Sequence, residues 1–295
     1  MSRVHDALRK AEQCVLLGGD SAAPGQQTAA AVAAVLPLDG LLESAREVPF
    51  DPPPGTHLLS AVADHRSASG PVEEFRTLRT RMNHLQTLQP IHTVVVTSPS
   101  PAEGKSFTAS NFAISEAQLA ENPTLLADFD FRRPILHSYF GIERSPGATD
   151  YLQGKAELKD VIKKVAGLNL YVLPAGEPVM NPLELLNLAQ AKRLLEQLPR
   201  LFNWVVLDTP PLLFAADANL LSTLCHGTLL VVRIGATTID SVSRAMQSLC
   251  EDNVVGIVVN GARRGELYSK YTYYHSYYYK SEDQSATEEE EEEDD

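Results

Sequence analysis

Short apolar stretches alternate with amphipathic stretches along residues 93–260. The apolar stretches predict strands at 93–97, 124–128, 168–173, 203–208, 228–234 and 254–259. The stretches between them predict helices at 105–120, 134–140, 157–166, 182–198, 216–224 and 239–250. Strands such as 203–208 are apolar throughout instead of alternating, which is typical of strands covered on both faces. We therefore expect an α/β fold with a mostly parallel sheet and helices on both faces.

The chain before this alternating region has a different pattern. Residues 1–16 predict an amphipathic helix, which either folds back on the core or docks on a membrane or a partner. Residues 17–70 are rich in Ala, Gly, Ser and Pro and predict a flexible linker. A helix over 73–82 then begins the main domain, which we place at 71–265, and residues 266–295 form a tail.

Composition narrows the class of protein. The 295 residues carry a formal net charge of −13, which argues against non-specific binding of nucleic acid. Eight of these charges lie in the acidic run 288–295, so the rest of the chain carries only −5. Three scattered cysteines lack metal-site spacing and predict reduced thiols. With no apolar stretch long enough to span a membrane and no signal-peptide pattern, we expect a cytoplasmic protein.

A candidate phosphate site follows the first apolar strand of the domain. Small residues lead to Gly104-Lys105-Ser106, at which the next helical pattern begins. Phosphate binding needs this order, because the loop offers backbone N–H groups, the lysine neutralises the outer phosphates and the hydroxyl holds Mg²⁺. Pro99 stands where the Walker A template has its first glycine.

Acidic residues end two further strands. Asp128 and Asp130 follow the strand at 124–128, and Asp208 ends the strand at 203–208. Because ligands in parallel sheets bind at the carboxyl ends of strands, we expect these side chains to meet the phosphate loop. Lys105 would then neutralise phosphate, and Ser106 and Asp208 would hold Mg²⁺. Asp128 and Asp130 would hold Mg²⁺ through water or accept a proton, and the sequence does not divide these roles between them.

The tail contains seven of the ten tyrosines within twelve residues. They are Tyr268, Tyr271, Tyr273, Tyr274, Tyr277, Tyr278 and Tyr279. Neither a helical nor a strand period fits them, so they do not form a core. We interpret them as phosphoacceptors that enter a neighbour's active site, with a disordered aromatic segment as the alternative.

Together these motifs resemble the bacterial tyrosine kinases (BY-kinases) of capsule and exopolysaccharide synthesis, over about residues 71–280. The segment 97–106 resembles their Walker A motif, with Ala102 where glycine is usual, and 128–134 and 207–211 resemble their other two Walker motifs. The segments 146–152 and 173–176 also resemble family segments. Glu73, Arg76 and Arg79 match the family's oligomerisation signature.

This resemblance implies a P-loop NTPase-like fold related to MinD and ParA, and an ATP- and Mg²⁺-dependent tyrosine autokinase. Such a kinase would phosphorylate its tail in trans within a ring and regulate exopolysaccharide or capsule synthesis. The implied partners are a separate transmembrane activator, which would bring the chain to the inner face of the membrane, and a tyrosine phosphatase. The implied nucleotide contacts are Pro101, Ala102, Glu103, Gly104, Lys105, Ser106, Phe107, Arg132 and Asn260.

Two other functions compete with this interpretation. A MinD- or ParA-like ATPase switch shares much of the motif set, but its signature lysine would occupy position 100, which is Ser100 here. A scaffold that keeps nucleotide as a structural ligand is a third hypothesis. The intact acidic and basic motif residues argue against it.

Overall fold

A computed structural model describes residues 40–54, 56, 58–59, 70–249 and 253–262. The strands in these ranges are β1 (Arg46–Val48), β2 (Thr93–Thr97), β3 (Thr124–Asp128), β4 (Lys163–Val165), β5 (Leu170–Leu173), β6 (Trp204–Asp208), β7 (Gly227–Arg233) and β8 (Val254–Asn260). The helices are α1 (Leu41–Ser44), α2 (Gly70–Leu88), α3 (Lys105–Ala117), α4 (Leu136–Tyr139), α5 (Ala148–Leu152), α6 (Leu158–Val161), α7 (Pro182–Asn187), α8 (Ala189–Gln197), α9 (Ala216–Leu224) and α10 (Ile239–Ser248). A 3₁₀ helix, Leu198–Arg200, follows α8. None of the helices in these ranges is long and apolar enough to cross a membrane.

The eight strands form one sheet in the order β1-β4-β5-β3-β6-β2-β7-β8. Every neighbouring pair is parallel except β4 and β5, which run antiparallel. The predicted α/β fold with a mostly parallel sheet is therefore confirmed. The central strands β3, β6 and β2 place the ends of the three motif segments side by side.

Apolar side chains project from both faces of this sheet. On β7, Leu229 and Val231 join a large core with α2 and α3, whereas Leu230 between them joins a second core with α9 and α10. In the large core, Trp204 of β6 lies edge-on to Phe112 of α3 at 5.6 Å between ring centroids. Burial on both faces explains why these strands are continuously apolar in sequence.

The prediction of a flexible linker over 17–70 is wrong for residues 40–54. This part of the chain contains α1 and β1, and β1 pairs with β4 at the sheet edge with Glu47 opposite Lys164. Leu58 and Leu59 are buried in the large core. The composition hid these elements because a three-residue strand is too short to show a period. Residues 1–39, with the predicted N-terminal helix, lie outside the described residues.

Two predicted helices also differ from the structure. The prediction of one helix at 157–166 is wrong, since α6 ends at Val161 and the short strand β4, which lies between β1 and β5, follows. The predicted helix at 182–198 is divided into α7 and α8, because Leu188 has an extended backbone with ψ of 144°. The helix α5 was not predicted, and the predicted tail at 266–295 lies outside the part that the structure describes.

A buried polar chain connects α2, α3 and β6. The indole N–H of Trp204 donates to Asn83 Oδ1 at 2.9 Å, and Asn83 Nδ2 donates to Glu116 Oε2 at 3.1 Å. Glu116 is fully buried, and its Oε1 has no hydrogen-bond partner among the described residues. Burial therefore raises the pKa of Glu116 to about 7.

We expect Glu116→Gln to stabilise the protein at pH 8.5 and to have little effect at pH 5. The carboxyl ionises near pH 4.5 when unfolded and near 7 when folded, so the stability that it contributes below pH 4.5 is lost as the pH rises through 7. The loss amounts to about 3 kcal/mol at most, and glutamine avoids it while still accepting from Asn83. Urea denaturation at both pH values measures this difference. Glu74→Gln, on the exposed side of α2, is the control and should change the free energy of unfolding equally at both pH values. An equal change at both pH values for Glu116→Gln would contradict a buried charge at Glu116.

Candidate active site

The sheet register brings the motif carboxylates together. Asp128 and Asp208 are directly opposite each other at the ends of β3 and β6, and the N–H of Phe129 donates to the carbonyl of Asp208 at 2.8 Å. β2 lies on the other side of β6 and leads into the phosphate loop. The expectation that these strand ends meet is therefore correct.

The phosphate loop, which we define as Ser98–Gly104, has two residues with left-handed backbone. Gly104 has φ of 96° and Ala102 has φ of 62°. The positive φ of Gly104 strains any L-residue, and a Cβ there would also displace the side-chain amide of Asn260, which lies 2.4 Å away. Ala102 instead adopts a conformation that costs an L-residue free energy. The loop ends where α3 begins, so the free N–H groups and positive end of this helix face the same region.

Lys105 is the cationic centre of the site. Its Nζ lies 2.9 Å from Asp130 Oδ2 and 3.7 Å from Asp208 Oδ1, and donates to Ser106 Oγ at 3.2 Å. Burial alone would lower the pKa of Lys105, but the charges of Asp208 and Asp130 offset this and the pKa is raised. The lysine therefore stays charged where a phosphate group would bind.

The two acids after β3 have different environments. Asp128 is fully buried and accepts the N–H groups of Ile135 and Leu136 at the start of α4, each at 3.1 Å. Its other oxygen accepts the N–H of Asp130 at 3.2 Å. Burial first, and the charge of Asp208 second, raise the pKa of Asp128 to about 8. Asp128 thus fixes the turn after β3, whereas Asp130 contacts Lys105.

The Asp208 carboxylate suits a divalent cation. It is fully buried, and among the described residues the Lys105 ammonium and the Ser106 hydroxyl interact with it only at more than ordinary hydrogen-bond length. Burial raises its pKa to about 6, although Lys105 acts in the opposite direction. An orphaned buried carboxylate beside a serine hydroxyl and a phosphate loop fits Mg²⁺, which binds through one or two carboxylates plus substrate phosphates. Within the described residues no three His, Cys, Asp or Glu side chains form a metal site by themselves.

Other predicted nucleotide contacts have different neighbours in the structure. The Phe107 ring is partly buried and lies against Phe75 at 5.8 Å between centroids, at the border of the large core. Arg132 binds Asp217 of α9 through Nε–Oδ2 at 2.6 Å and Nη2–Oδ1 at 3.2 Å. Pro101 is exposed on the loop. Asp217 was not predicted, because an apolar helix start offered no signal for a partner 85 residues away.

Asn260 and Glu103 contact the loop itself. Asn260 Nδ2 donates to the Glu103 carbonyl and to Thr108 Oγ1, each at 3.1 Å. The carboxylate of Glu103 accepts the N–H of Ser100 at 2.8 Å, inside the same loop. These two side chains therefore shape the backbone that would surround a phosphate.

The residues of the predicted oligomerisation signature have partners within this chain. Arg76 pairs with Glu73 at 3.2 Å on the exposed side of α2. Arg79 donates to the carbonyl of Ser115 in α3 at 2.8 Å. An exposed ion pair contributes little to stability. The role of Glu73, Arg76 and Arg79 in an oligomer contact stays a prediction.

Comparison with known proteins finds relatives of moderate sequence identity. The tyrosine-protein kinase YwqD of Bacillus subtilis is 33% identical over 204 residues, which cover 68% of this chain and 85% of YwqD. The chain belongs to the bacterial tyrosine kinase family. The tyrosine-protein kinase CpsD of Streptococcus agalactiae is 31% identical and matched over 85% of its length. In Escherichia coli K12 the tyrosine-protein kinase etk is 32% identical, but the match spans only 28% of it.

Solved structures agree with this family. The kinase domain of Escherichia coli ETK superposes with a TM-score of 0.64 at 29% identity, covering 74% of this chain and 90% of that domain. The chimerical protein CapA2B2 gives a TM-score of 0.62 at 26% identity and covers 70% of this chain. No family model matches the sequence. The predicted tyrosine kinase family is thus confirmed by relatives and by fold.

We expect substitutions at Ala102 to change stability in opposite directions. Glycine relieves the positive φ and should raise the free energy of unfolding by up to about 1 kcal/mol. The β-branched Ala102→Val should lower it by about 1 kcal/mol, because the side chain is exposed and only backbone strain changes. Urea denaturation of both variants measures this. Equal stabilities would show that position 102 does not carry strain.

Proposed function

We propose that this kinase transfers phosphate from ATP to tyrosines of its own tail, with Mg²⁺ as the metal. The observation that carries this proposal is the partly buried Lys105, which lies between Asp130 and Asp208 at the end of the phosphate loop. Family membership supports tyrosine as the acceptor, and the chain contains seven tyrosines between 268 and 279.

The contacts of the two acids after β3 suggest separate roles in transfer. Both oxygens of Asp128 accept backbone N–H groups of the turn after β3, so this carboxylate holds the turn. A phosphate group at the loop competes for Lys105 and so frees the Asp130 carboxylate from its ion pair. Asp130 then accepts the tyrosine proton while the phenolic oxygen bonds to the γ-phosphorus and the bond to the ADP oxygen breaks.

Charge neutralisation is the other contribution of the site. Lys105 and the N-terminal end of α3 would face the phosphates, and Ser106 and Asp208 would hold the metal. Mg²⁺ supplies the charge that offsets negative charge developing on the leaving group. Asp208 is kept free of hydrogen bonds from the described residues, so its oxygens need no rearrangement to bind a cation.

The cellular role follows from the family resemblance. We assign the kinase to the regulation of exopolysaccharide or capsule synthesis, as a ring-forming enzyme held at the inner face of the membrane by a separate transmembrane activator. A tyrosine phosphatase reverses the modification. Each phosphotyrosine adds about −1.5 to −2 charges, so seven of them add about −10 to −14. This charge would drive crowded tails and subunits apart.

We expect radiolabelled ATP to label the tail of the wild type but not of Lys105→Met. The methionine removes the charge that would hold the phosphates. Lys155→Met, at an exposed lysine, is the matched control and should label like the wild type. The measurement uses protein purified after co-expression with candidate membrane partners, with a chain truncated after Gly265 to locate the label. Phosphate release without phosphotyrosine would support the ATPase-switch alternative instead.

Mixing two variants tests transfer between chains. Lys105→Met keeps its tail but lacks the catalytic lysine, whereas the chain truncated after Gly265 keeps the site but lacks the tyrosines. If transfer occurs in trans, we expect label on the Lys105→Met chain in the mixture and none when either is incubated alone. Wild-type labelling with an unlabelled mixture would contradict transfer in trans.

A further inference from the structure

The Glu103 side chain does not face the phosphate site. It is 3% exposed, and its two carboxylate oxygens have separate partners. Oε2 accepts the N–H of Ser100 at 2.8 Å, within the phosphate loop. Oε1 accepts the hydroxyl of Thr237, which is 134 residues away in the turn between β7 and α10. A buried carboxylate beside a phosphate site repels phosphate, so its presence calls for another role.

The turn that carries Thr237 is itself closed by hydrogen bonds. The N–H of Arg233 donates to Thr237 Oγ1 at 2.8 Å, and the N–H of Thr237 donates to the carbonyl of Arg233 at 2.9 Å. Thr237 Oγ1 therefore accepts from one side and donates to Glu103 on the other. This fixes the direction in which its hydroxyl points.

Arg233 makes a second contact from the same turn. Its Nη1 donates to the carbonyl of Ala102 at 3.1 Å. The turn therefore contacts Ala102 through Arg233 and Glu103 through Thr237. Ala102 is the residue with the positive φ. A loop residue in an unfavourable conformation persists only when its surroundings hold it there.

We propose that Thr237 and Arg233 are positioning residues, which hold the phosphate loop in its binding conformation through Glu103 and Ala102. The N–H groups of the loop are then oriented before the ligand arrives, which lowers the entropic cost of binding. The proposal rests on the assignment of this loop to nucleotide phosphates. It adds residues from outside the three motif segments, and neither touches the ligand itself.

The test compares Thr237→Val with Thr237→Ser. Valine has the same shape without a hydroxyl, whereas serine restores the bond to Glu103. We expect valine to weaken Mg-ADP binding and to raise the KM for ATP about tenfold, the scale of one hydrogen bond to a charged group. The kcat at saturating ATP should change much less, and serine should recover most of the loss. Thr223→Val is the matched control, because the exposed Thr223 hydroxyl donates to the Leu220 carbonyl within α9.

A double-mutant cycle separates positioning from general destabilisation. If Thr237 acts through Glu103, then Thr237→Val should add no further loss of Mg-ADP binding in a Glu103→Ala background. Additive losses would overturn the proposal. If Glu103→Ala does not fold, Thr237→Val and Thr237→Ser still test the positioning role. Hydrogen exchange of residues 98–106 is then measured in these variants without nucleotide. We expect faster exchange there in Thr237→Val.

The outcomes distinguish this proposal from the proposed function. If the wild type does not bind Mg-ADP, the assignment of the loop to nucleotide phosphates is wrong, and the positioning role is wrong as well. Wild type that binds, beside a Thr237→Val variant that binds equally well and shows unchanged exchange, overturns the positioning role alone. A loss of binding that serine does not recover also counts against it.

Discussion

One partly buried ammonium group lies beside three buried carboxylates, and this imbalance of charge governs the site. Lys105 contacts Asp130 and lies within 3.7 Å of Asp208, while Asp128 is directly opposite Asp208 on the neighbouring strand. Charges of one sign gathered out of water are unfavourable unless further cations or protons join them. The raised pKa values of Asp128 and Asp208 reflect the proton solution to this problem. A divalent cation is the other solution, and it is the one that phosphoryl transfer uses.

The surrounding fold is arranged to keep this imbalance in place. Parallel pairing of β3, β6 and β2 fixes the positions of the carboxylates and of the start of the phosphate loop. Asp128 accepts backbone N–H groups at the start of α4. These hydrogen bonds hold the turn that carries Asp130. The strained Ala102 and the orphaned Asp208 are features that cost stability and suit a binding site. Stability comes instead from the two apolar cores on either side of the sheet.

The sequence was most informative where a signal was local. Continuous apolar strands predicted the central sheet, and strand-end acids with a phosphate loop predicted which side chains would meet. The edge strand β1 and its neighbour β4 are not predicted, because three residues show no period and the sequence pattern at β4 predicts a helix. Asp217 and Thr237 were missed for a different reason. Their roles depend on partners 85 and 134 residues away, and no spacing in the sequence reports such contacts.

The contact between Asn260 and the phosphate loop also sets an upper limit on the distance of the later tyrosines from that loop. Asn260 ends the last strand, and its side chain is bonded to the carbonyl of Glu103. Tyr268 follows eight residues later and Tyr279 nineteen residues later, so their backbones reach at most about 28 Å and about 66 Å from this point. The number of residues between Asn260 and a given tyrosine therefore sets the greatest distance at which the backbone of that tyrosine can lie from the phosphate loop of its own chain.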